Sequence, residues 1–317
     1  MSMAILGAGA FGTALAVALA RGKVPVMLWA RTGGDDIAQT RISPRLPGVT
    51  IPPEVEVTGY LAHAALVDTV LLAVPTQQLA RFLTVHAGHL DGRVLVACCK
   101  GIDLASGRGP VEMIRGACPQ ATPALLTGPG FAADLAAGLP TALTLACSDE
   151  ARGVALQRAL STPALRLYRT TDTIGAELGG ALKNVIAIAA GLVIGAGLGH
   201  SARAALMTRG YAEMKRFALS RGARAETLAG LSGFGDLVLT CTSDGSRNFR
   251  HGRALGAGDP VETGTIEGVA TARAVAALAR EDRVEMPITA MVAALMDEKI
   301  TLGQAVDALM TRPLKEE

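Results

Sequence analysis

The sequence predicts an α/β fold in which a doubly wound parallel sheet is followed by an all-helical domain. A glycine-rich turn near the N-terminus separates an apolar run of strand length from an Ala- and Leu-rich helical run. Strand and helix patterns then alternate, as is typical of a parallel sheet. After Asp172 the strand patterns nearly vanish, so we expect a first domain of residues 1–171 and a helical domain of residues 172–317.

The glycine-rich turn reads Gly-Ala-Gly-Ala-Phe-Gly at positions 7–12, between the apolar run 3–6 and the first helical run. Gly7 permits a tight turn, Gly9 lets the backbone approach a pyrophosphate, and Gly12 lets the helix pack closely on the strand. The helix N-terminus presents N–H groups and a positive dipole end to phosphates. The turn therefore predicts a Rossmann-type dinucleotide site, and a glycine-rich turn without a ligand is the alternative.

Arg31 follows the second apolar run, residues 23–29, at the point where such domains contact the adenosine ribose. An acidic residue there accepts hydrogen bonds from the 2′-OH of NAD, whereas an arginine accommodates the 2′-phosphate of NADP. No Asp or Glu lies at this strand end. We predict NADP(H) as the preferred cofactor with NAD(H) as the second choice; a solvated arginine at a loop entrance is the alternative.

The other strand patterns of the first domain cover residues 55–57, 69–74, 94–98, 124–126, 141–146 and 164–168. Ligands of doubly wound sheets bind beyond the carboxyl ends of the strands. The candidates there are Val74-Pro75, Lys100-Gly101 and Gly128-Pro129. The Lys100 ammonium can pair with a phosphate or a substrate oxygen, and a solvated loop lysine is the alternative.

Long segments with helical spacing make up the second domain: residues 173–195, 202–221, 269–280, 288–296 and 302–310. The apolar run 178–198 is long enough to cross a membrane. Glu177, Lys183, Asn184 and several glycines argue against insertion, so we predict a buried helix.

Composition and charge indicate which kinds of partner and which cellular compartment the protein has. A formal net charge of +2 and an aromatic content of 3% favour neither a nucleic-acid partner nor a membrane surface. The five cysteines show no C-x-x-C and no Cys/His spacing that suits zinc. We expect reduced, mostly buried thiols in a cytoplasmic protein that binds no metal.

Lys183 lies among small and apolar residues on the predicted helix 173–195. A half-buried lysine either reaches solvent with its ammonium or has its pKa lowered by desolvation, which suits a general acid or base. Asp236 lies between Gly-Phe-Gly and an apolar run. It would orient such a lysine or set its proton affinity, and a helix N-cap is the alternative.

Ser246, Arg247 and Asn248 form a third polar group. Arginine binds phosphate through two parallel hydrogen bonds, and Ser and Asn add neutral ones. The group predicts a phosphate or carboxylate clamp at a helix N-terminus. A capping turn is the alternative.

A series of short motifs in order resembles the bacterial NAD(P)-dependent glycerol-3-phosphate dehydrogenase family over nearly the whole chain. They are GAGAFGTALA at 7–16, CKGI at 99–102, TGPGFA at 127–132, LKN at 182–184, GFGDL at 233–237, SRN at 246–248, and IEG at 266–268 followed by EMPIT at 285–289.

The resemblance implies a 6-phosphogluconate dehydrogenase-like fold and reversible reduction of dihydroxyacetone phosphate to sn-glycerol 3-phosphate, which feeds glycerophospholipid synthesis. It implies that Lys183 exchanges a proton with the C2 oxygen, and that the substrate is surrounded by Lys100, Gly128, Gly130, Asp236, Ser246, Arg247 and Asn248. The implied cofactor contacts are Ala10, Phe11, Arg31, Lys100, Ala132, Arg247, Thr265 and Glu267. Exposed Ala and Leu faces on the C-terminal helices add the expectation of a homodimer.

Two departures from the family pattern concern the site. Gly130 stands where the family usually has a hydroxyl residue, so one substrate hydrogen bond, worth about 0.5–1.5 kcal/mol, is expected to be missing. The connection from Asn248 to Glu267 is shorter than usual, which leaves open which residue near Thr265 touches the cofactor. A reductase of another keto or hydroxy acid and a nucleotide-sensing module without turnover are the alternatives.

Overall fold

The computed structural model describes residues 2–261, 264 and 266–310. These residues form two compact units, one from the ranges 1–100 and 108–177 and the other from 101–107 and 178–317. The predicted boundary after Thr171 lies before this division. Ala176 belongs to the buried core of the first unit, and Ile102 belongs to the core of the second.

The first unit contains an eight-stranded sheet in the order β3-β2-β1-β4-β5-β6-β7-β8. The strands are β1 Met3–Leu6, β2 Val26–Trp29, β3 Val55–Thr58, β4 Thr69–Leu72, β5 Val94–Ala97, β6 Thr122–Thr127, β7 Thr141–Cys147 and β8 Leu165–Thr170. All four residues of β1 are buried. Met3 and Ile5 enter one hydrophobic cluster and Ala4 and Leu6 the other, because both faces of the sheet are covered.

The helices of the first unit are α1 Ala10–Arg21, α2 Gly34–Thr40, α3 Leu61–Ala64, α4 Thr76–Leu90, α5 Pro110–Ala117, α6 Ala132–Ala137 and α7 Glu150–Leu160. The chain from β1 to β6 makes only parallel strand pairs. Leu6 is in register with Trp29 and with Leu72, so the carboxyl ends of β1, β2 and β4 meet at one edge of the sheet.

The predicted doubly wound parallel sheet is confirmed, with one exception at β7, which is antiparallel to β6 and parallel to β8. The connection between β6 and β7 contains α6, a helix of 6 residues. The strand order places β7 next to β6, so this connection joins two neighbouring antiparallel strands and the parallel part of the sheet ends at β6.

The second unit is helical within the described residues. Its elements are α8 Thr173–Gly195, which starts at the end of the first unit, α9 Gly199–Ser220, α10 Ala225–Ala229, a π-helical segment Leu231–Gly235, α11 Asp236–Thr242, α12 Arg247–Ala257, α13 Glu267–Glu281, α14 Pro287–Met296 and α15 Leu302–Met310. α8 is long and apolar enough to cross a membrane, but 89% of its most apolar window is buried inside the protein. This helix forms the centre of the second core.

The packing of α8 against α12 depends on glycines. A Cβ atom on Gly191 would lie 2.1 Å from the carbonyl oxygen of Phe249, and one on Gly252 would lie 1.9 Å from that of Ile188. Both distances are far shorter than a van der Waals contact between a carbon and an oxygen. The two helices therefore touch through their backbones, which only glycine permits.

Glu177 is a half-buried residue of the first unit, and its carboxyl group is largely removed from water. Its Oε1 accepts a hydrogen bond of 2.8 Å from the backbone N–H of Val111, in the first turn of α5. Burial, with a smaller contribution from Glu112, raises the pKa of Glu177 from 4.5 to about 7. The folded protein therefore holds this proton more tightly than the unfolded chain does.

A carboxyl group whose pKa is raised on folding stabilises the fold at low pH, and that stability is lost as the pH rises from about 4.5 through about 7. We expect Glu177→Gln to remove this loss, because the amide oxygen still accepts from Val111 and carries no charge. The melting temperature of the variant, relative to that of wild type, should increase as the pH rises from 5 to 8. The control Glu150→Gln, at an exposed position, should show the same pH dependence of the melting temperature as wild type. If Glu177→Gln also shows the wild-type pH dependence, the raised pKa of Glu177 is contradicted.

Candidate active site

The residues that the sequence singled out fall into two groups, one in each unit. In the first unit the turn at positions 7–12 connects β1 to α1. Gly7 has a φ of +125°, and a Cβ there would lie 2.5 Å from the carbonyl oxygen of Ala73. A Cβ on Gly12 would lie 2.0 Å from the oxygen of Gly7. Both positions require glycine, for the reasons that the motif predicts.

Gly9 is different, because nothing lies within 4 Å of where its Cβ would be. It is the N-cap of α1, no side chain caps this helix, and its first turn holds no acidic residue. The N–H groups of a helix N-terminus attract an anion. The open side of Gly9 and the uncapped first turn, with Ala10 and Phe11 half-buried, fit the pyrophosphate of a dinucleotide.

Ser43 supports this turn and was not predicted from the sequence. It is fully buried, and its hydroxyl donates a 3.1 Å hydrogen bond to the carbonyl oxygen of Ala8. A single serine in a polar loop gives no signal in the sequence. Its role follows only from the folding of the segment after α2 back onto the glycine turn.

Three further candidates lie just past parallel strand ends. Arg31 is exposed, directly after β2 and the buried Ala30. Lys100 follows β5, and its ammonium donates a 2.8 Å hydrogen bond to the carbonyl oxygen of Gly128, just beyond β6. The structure thus brings Lys100 and Gly128 together at the sheet edge where doubly wound folds bind ligands.

The position of Gly130 leaves little room for a side chain. A Cβ there would lie 3.2 Å from side-chain carbons of both Leu143 and Thr141. Leu143 and Thr141 therefore occupy much of the space that a side chain at position 130 would need. Ala132, a predicted cofactor contact, is the first residue of α6.

In the second unit, Lys183 of α8 and Asp236 of α11 form a buried ion pair. The ammonium lies 3.1 Å from Oδ1 of Asp236, and the two residues are 6% and 1% exposed. Lys183 also donates a 2.6 Å hydrogen bond to the Thr240 hydroxyl, which in turn donates to Asp236 over 3.2 Å. The lysine is thus buried rather than half-buried as predicted. Thr240, one turn after Asp236, was not predicted.

The π-helical segment Leu231–Gly235 directly precedes Asp236. A Cβ on Gly179, one turn before Lys183 on the same face of α8, would lie 2.7 Å from the carbonyl oxygen of Ser232. The segment therefore packs on α8 backbone to backbone. π-helical turns are frequent at functional sites, and this one brings Asp236 to the lysine.

Cys241 is fully buried beside this pair. Desolvation raises the pKa of its thiol to about 12, although the nearby Lys183 and Arg203 act in the opposite direction. A neutral thiol does not neutralise a lysine, so the negative charge next to Lys183 is the carboxylate of Asp236.

The segment 246–248 opens α12. Ser246 is its N-cap and accepts a hydrogen bond from the Phe249 N–H over 3.2 Å, which is the capping alternative. Asn248 donates to Oδ1 of Asn184 and accepts from the Gly268 N–H, both over 3.0 Å. Arg247 is exposed, and in the described part of the chain its guanidinium has no hydrogen bond or ion pair.

The Asn248 side chain therefore connects the helix of Lys183 to the first turn of α13. Glu267, a predicted cofactor contact, is the first residue of α13. The predicted contact at Thr265 lies outside the described residues. In this unit the structure brings together Lys183, Asp236 and Thr240 as one cluster and Asn184, Asn248 and Gly268 as another.

The glycine turn and the parallel strand ends define a dinucleotide-binding oxidoreductase with a helical second unit that carries a buried lysine. Two family models match the chain, the N-terminus of NAD-dependent glycerol-3-phosphate dehydrogenase over residues 2–153 and its C-terminus over residues 172–307. The chain belongs to the NAD-dependent glycerol-3-phosphate dehydrogenase family, which confirms the resemblance noted from the motifs.

Individual relatives agree with the family models. Proteins named glycerol-3-phosphate dehydrogenase (NAD(P)+) from Cereibacter sphaeroides and a Ruegeria species are 65% and 61% identical, over 99% and 100% of both chains. The crystal structure of glycerol-3-phosphate dehydrogenase from Coxiella burnetii is 36% identical, with a TM-score of 0.93 over 98% of this chain and 99% of that one.

Proposed function

We propose that this enzyme reversibly reduces dihydroxyacetone phosphate to sn-glycerol 3-phosphate with NAD(P)H and that Lys183 supplies the proton. The observation that carries the proposal is the buried Lys183–Asp236–Thr240 cluster in a chain of this family. When bound, the nicotinamide supplies the hydride, and the protein provides orientation and a proton. The reaction would feed glycerophospholipid synthesis.

In the direction of reduction, the Lys183 ammonium gives a proton to the C2 oxygen as that oxygen gains negative charge. Lysine is left neutral and the product carries a hydroxyl group. Asp236 and Thr240 hold the lysine side chain in one orientation through the contacts given above. In the opposite direction neutral Lys183 accepts the proton, so one group serves both directions.

Arg247 is the residue we assign to the phosphate of the substrate. It lies in the first turn of α12, where the helix N-terminus also favours an anion. Its exposed guanidinium is available for two parallel hydrogen bonds to phosphate oxygens. Lys100 adds a second positive charge, and Gly128, Gly130, Ser246 and Asn248 complete the proposed substrate contacts.

The assay that tests the function follows the oxidation of NADPH with dihydroxyacetone phosphate and, in parallel, with unphosphorylated dihydroxyacetone. We expect turnover with the phosphate ester and at least about a hundredfold lower kcat/KM without it, because a charge-assisted, bidentate contact is lost. Equal rates on both substrates would point to a reductase of unphosphorylated compounds. Tight NADPH binding without any turnover would point to a nucleotide sensor.

For the cofactor we propose contacts from Gly7, Gly9, Ala10, Phe11, Gly12, Arg31, Lys100, Ala132, Arg247, Thr265 and Glu267, with NADP(H) preferred. The position of Arg31 directly after β2 supports that preference, because an arginine there accommodates a 2′-phosphate. NAD(H) is the weaker cofactor in this proposal.

Arg31→Asp should raise the KM for NADPH by about tenfold to a hundredfold and leave the KM for NADH nearly unchanged, because a charged contact to phosphate is replaced by repulsion. Steady-state kinetics with both cofactors measures the effect. Arg158→Asp on α7, an exposed arginine in the same unit, is the control of equal charge. An equal change in KM for both cofactors would show that Arg31 does not contact the 2′-phosphate.

We also propose that the enzyme acts in the cytoplasm as a homodimer. All five cysteines are buried and none forms a disulfide, which suits a reducing compartment. Light scattering after gel filtration measures the mass of the assembly, and a monomer at micromolar concentration would overturn the dimer.

A further inference from the structure

A groove in the second unit is lined by residues other than Lys183, Asp236 and Thr240. It has a volume of about 350 Å³ and lies between α9 and the segment 234–242, with the lining residues His200, Arg203, Ala204, Met207, Thr208, Tyr211, Phe234, Leu237, Val238 and Thr242. The residues from α9 recur at helical spacing and so form one face of that helix. The volume is at the lower end of the range for small-molecule sites.

The two ends of the groove differ in chemistry. At one end the rings of Tyr211 and Phe234 meet edge to face, with 5.4 Å between their centroids. Phe234 is 49% exposed and Val238 is 38% exposed. Both line the groove, so an apolar ligand there would cover surface that water now contacts.

The other end carries positive charge. Arg203 lies two helical turns before Tyr211 on α9, about 12 Å along the axis. In the described part of the chain its guanidinium makes no hydrogen bond or ion pair, and it lies close enough to Cys241 to act on that thiol electrostatically. The hydroxyl of Thr242 lines the same groove. An arginine with a neighbouring hydroxyl is a fitting partner for a carboxylate.

We propose that this groove binds an amphipathic anion, with an aliphatic chain along Met207, Tyr211 and Val238 and a carboxylate on Arg203. The length from Arg203 to Tyr211 and the change from charged to apolar lining both match a molecule with one anionic end and one apolar tail. Neither the phosphorylated substrate nor the dinucleotide has this character. The site is therefore distinct in chemistry from the proposed active site.

Octanoate is the probe for this site, with octanamide as the uncharged compound of equal length. Isothermal titration calorimetry on the full-length protein should show saturable binding of octanoate and about tenfold weaker binding of octanamide, because a charge-assisted hydrogen bond is lost. Arg203→Gln should weaken the binding of octanoate by the same factor. Ala204→Trp should abolish binding by filling the groove, with the circular dichroism spectrum unchanged.

Two controls separate this site from others. Arg209→Gln removes an exposed arginine of α9 that does not line the groove, and it should bind octanoate like wild type. Arg247→Gln, which removes the arginine assigned to the substrate phosphate, should also bind octanoate, and this result excludes the proposed phosphate site as the place of binding. The absence of saturable binding to wild type, equal affinity for Arg203→Gln, or a homodimer whose interface blocks octanoate would each overturn the proposal.

Discussion

Replacement of Lys183 by methionine should lower kcat for dihydroxyacetone phosphate reduction by about 10²- to 10⁴-fold, the usual contribution of a positioned proton donor. Methionine has a similar length and no proton to give. NADPH binding, measured by fluorescence titration, should stay within about twofold of wild type, because the proposed dinucleotide contacts lie elsewhere. The exposed Lys299→Met is the matched control and should keep full activity.

This substitution leaves the Asp236 carboxylate buried without its cation, which can cost about 3–5 kcal/mol of stability. The double variant Lys183→Met/Asp236→Asn removes both charges and should recover much of the melting temperature while remaining inactive. Recovery of stability without activity separates the chemical role of the lysine from its structural role. Activity within tenfold of wild type in either variant would refute Lys183 as the proton donor.

Gly252→Ala should destabilise the second unit more than any other single methyl group discussed above. The added Cβ would lie 1.9 Å from the carbonyl oxygen of Ile188 and also close to the carbonyl carbon of that residue. Backbone cannot rotate away as a side chain can, so α12 must move from α8. Overpacking of this kind costs about 1–3 kcal/mol or more, seen as a lower denaturation midpoint.

Gly88→Ala provides the opposite case for the same chemical change. Gly88 lies in α4, and nothing lies within 4 Å of its Cβ position. Alanine is the better helix former by about 0.8–1.0 kcal/mol, so this variant should be slightly more stable than wild type. If both variants unfold at the same denaturant concentration, close backbone packing between α8 and α12 is not what selects glycine.

Much of the first unit could be predicted because its signals are local. The motif at positions 7–12 combines a strand, glycines and a helix in one short stretch, and the bounds of α7 and α8 follow from their apolar spacing. The reversal of β7 could not be predicted in this way. The apolar pattern of residues 141–146 indicates a strand but not the direction in which that strand pairs with β6.

The candidate site was predictable where an unusual residue stands in an apolar context. Lys183 and Asp236 were each recognisable in this way, but their ion pair required the fold. Thr240 was not recognisable, because a threonine inside an apolar helix is common and gains its meaning only from the 2.6 Å contact with Lys183. Ser246 was assigned to the substrate, yet its side chain caps α12, and both roles draw on the same hydroxyl group.

The glycine contact between α8 and α12 has a consequence for how the family can vary. Where helices meet through side chains, a larger or smaller core residue changes the distance between their axes. Here the backbones themselves set that distance, at Gly191 and Gly252. A change in the size of apolar residues elsewhere in this core should therefore alter stability more than it alters the distance from Lys183 to the first turn of α12.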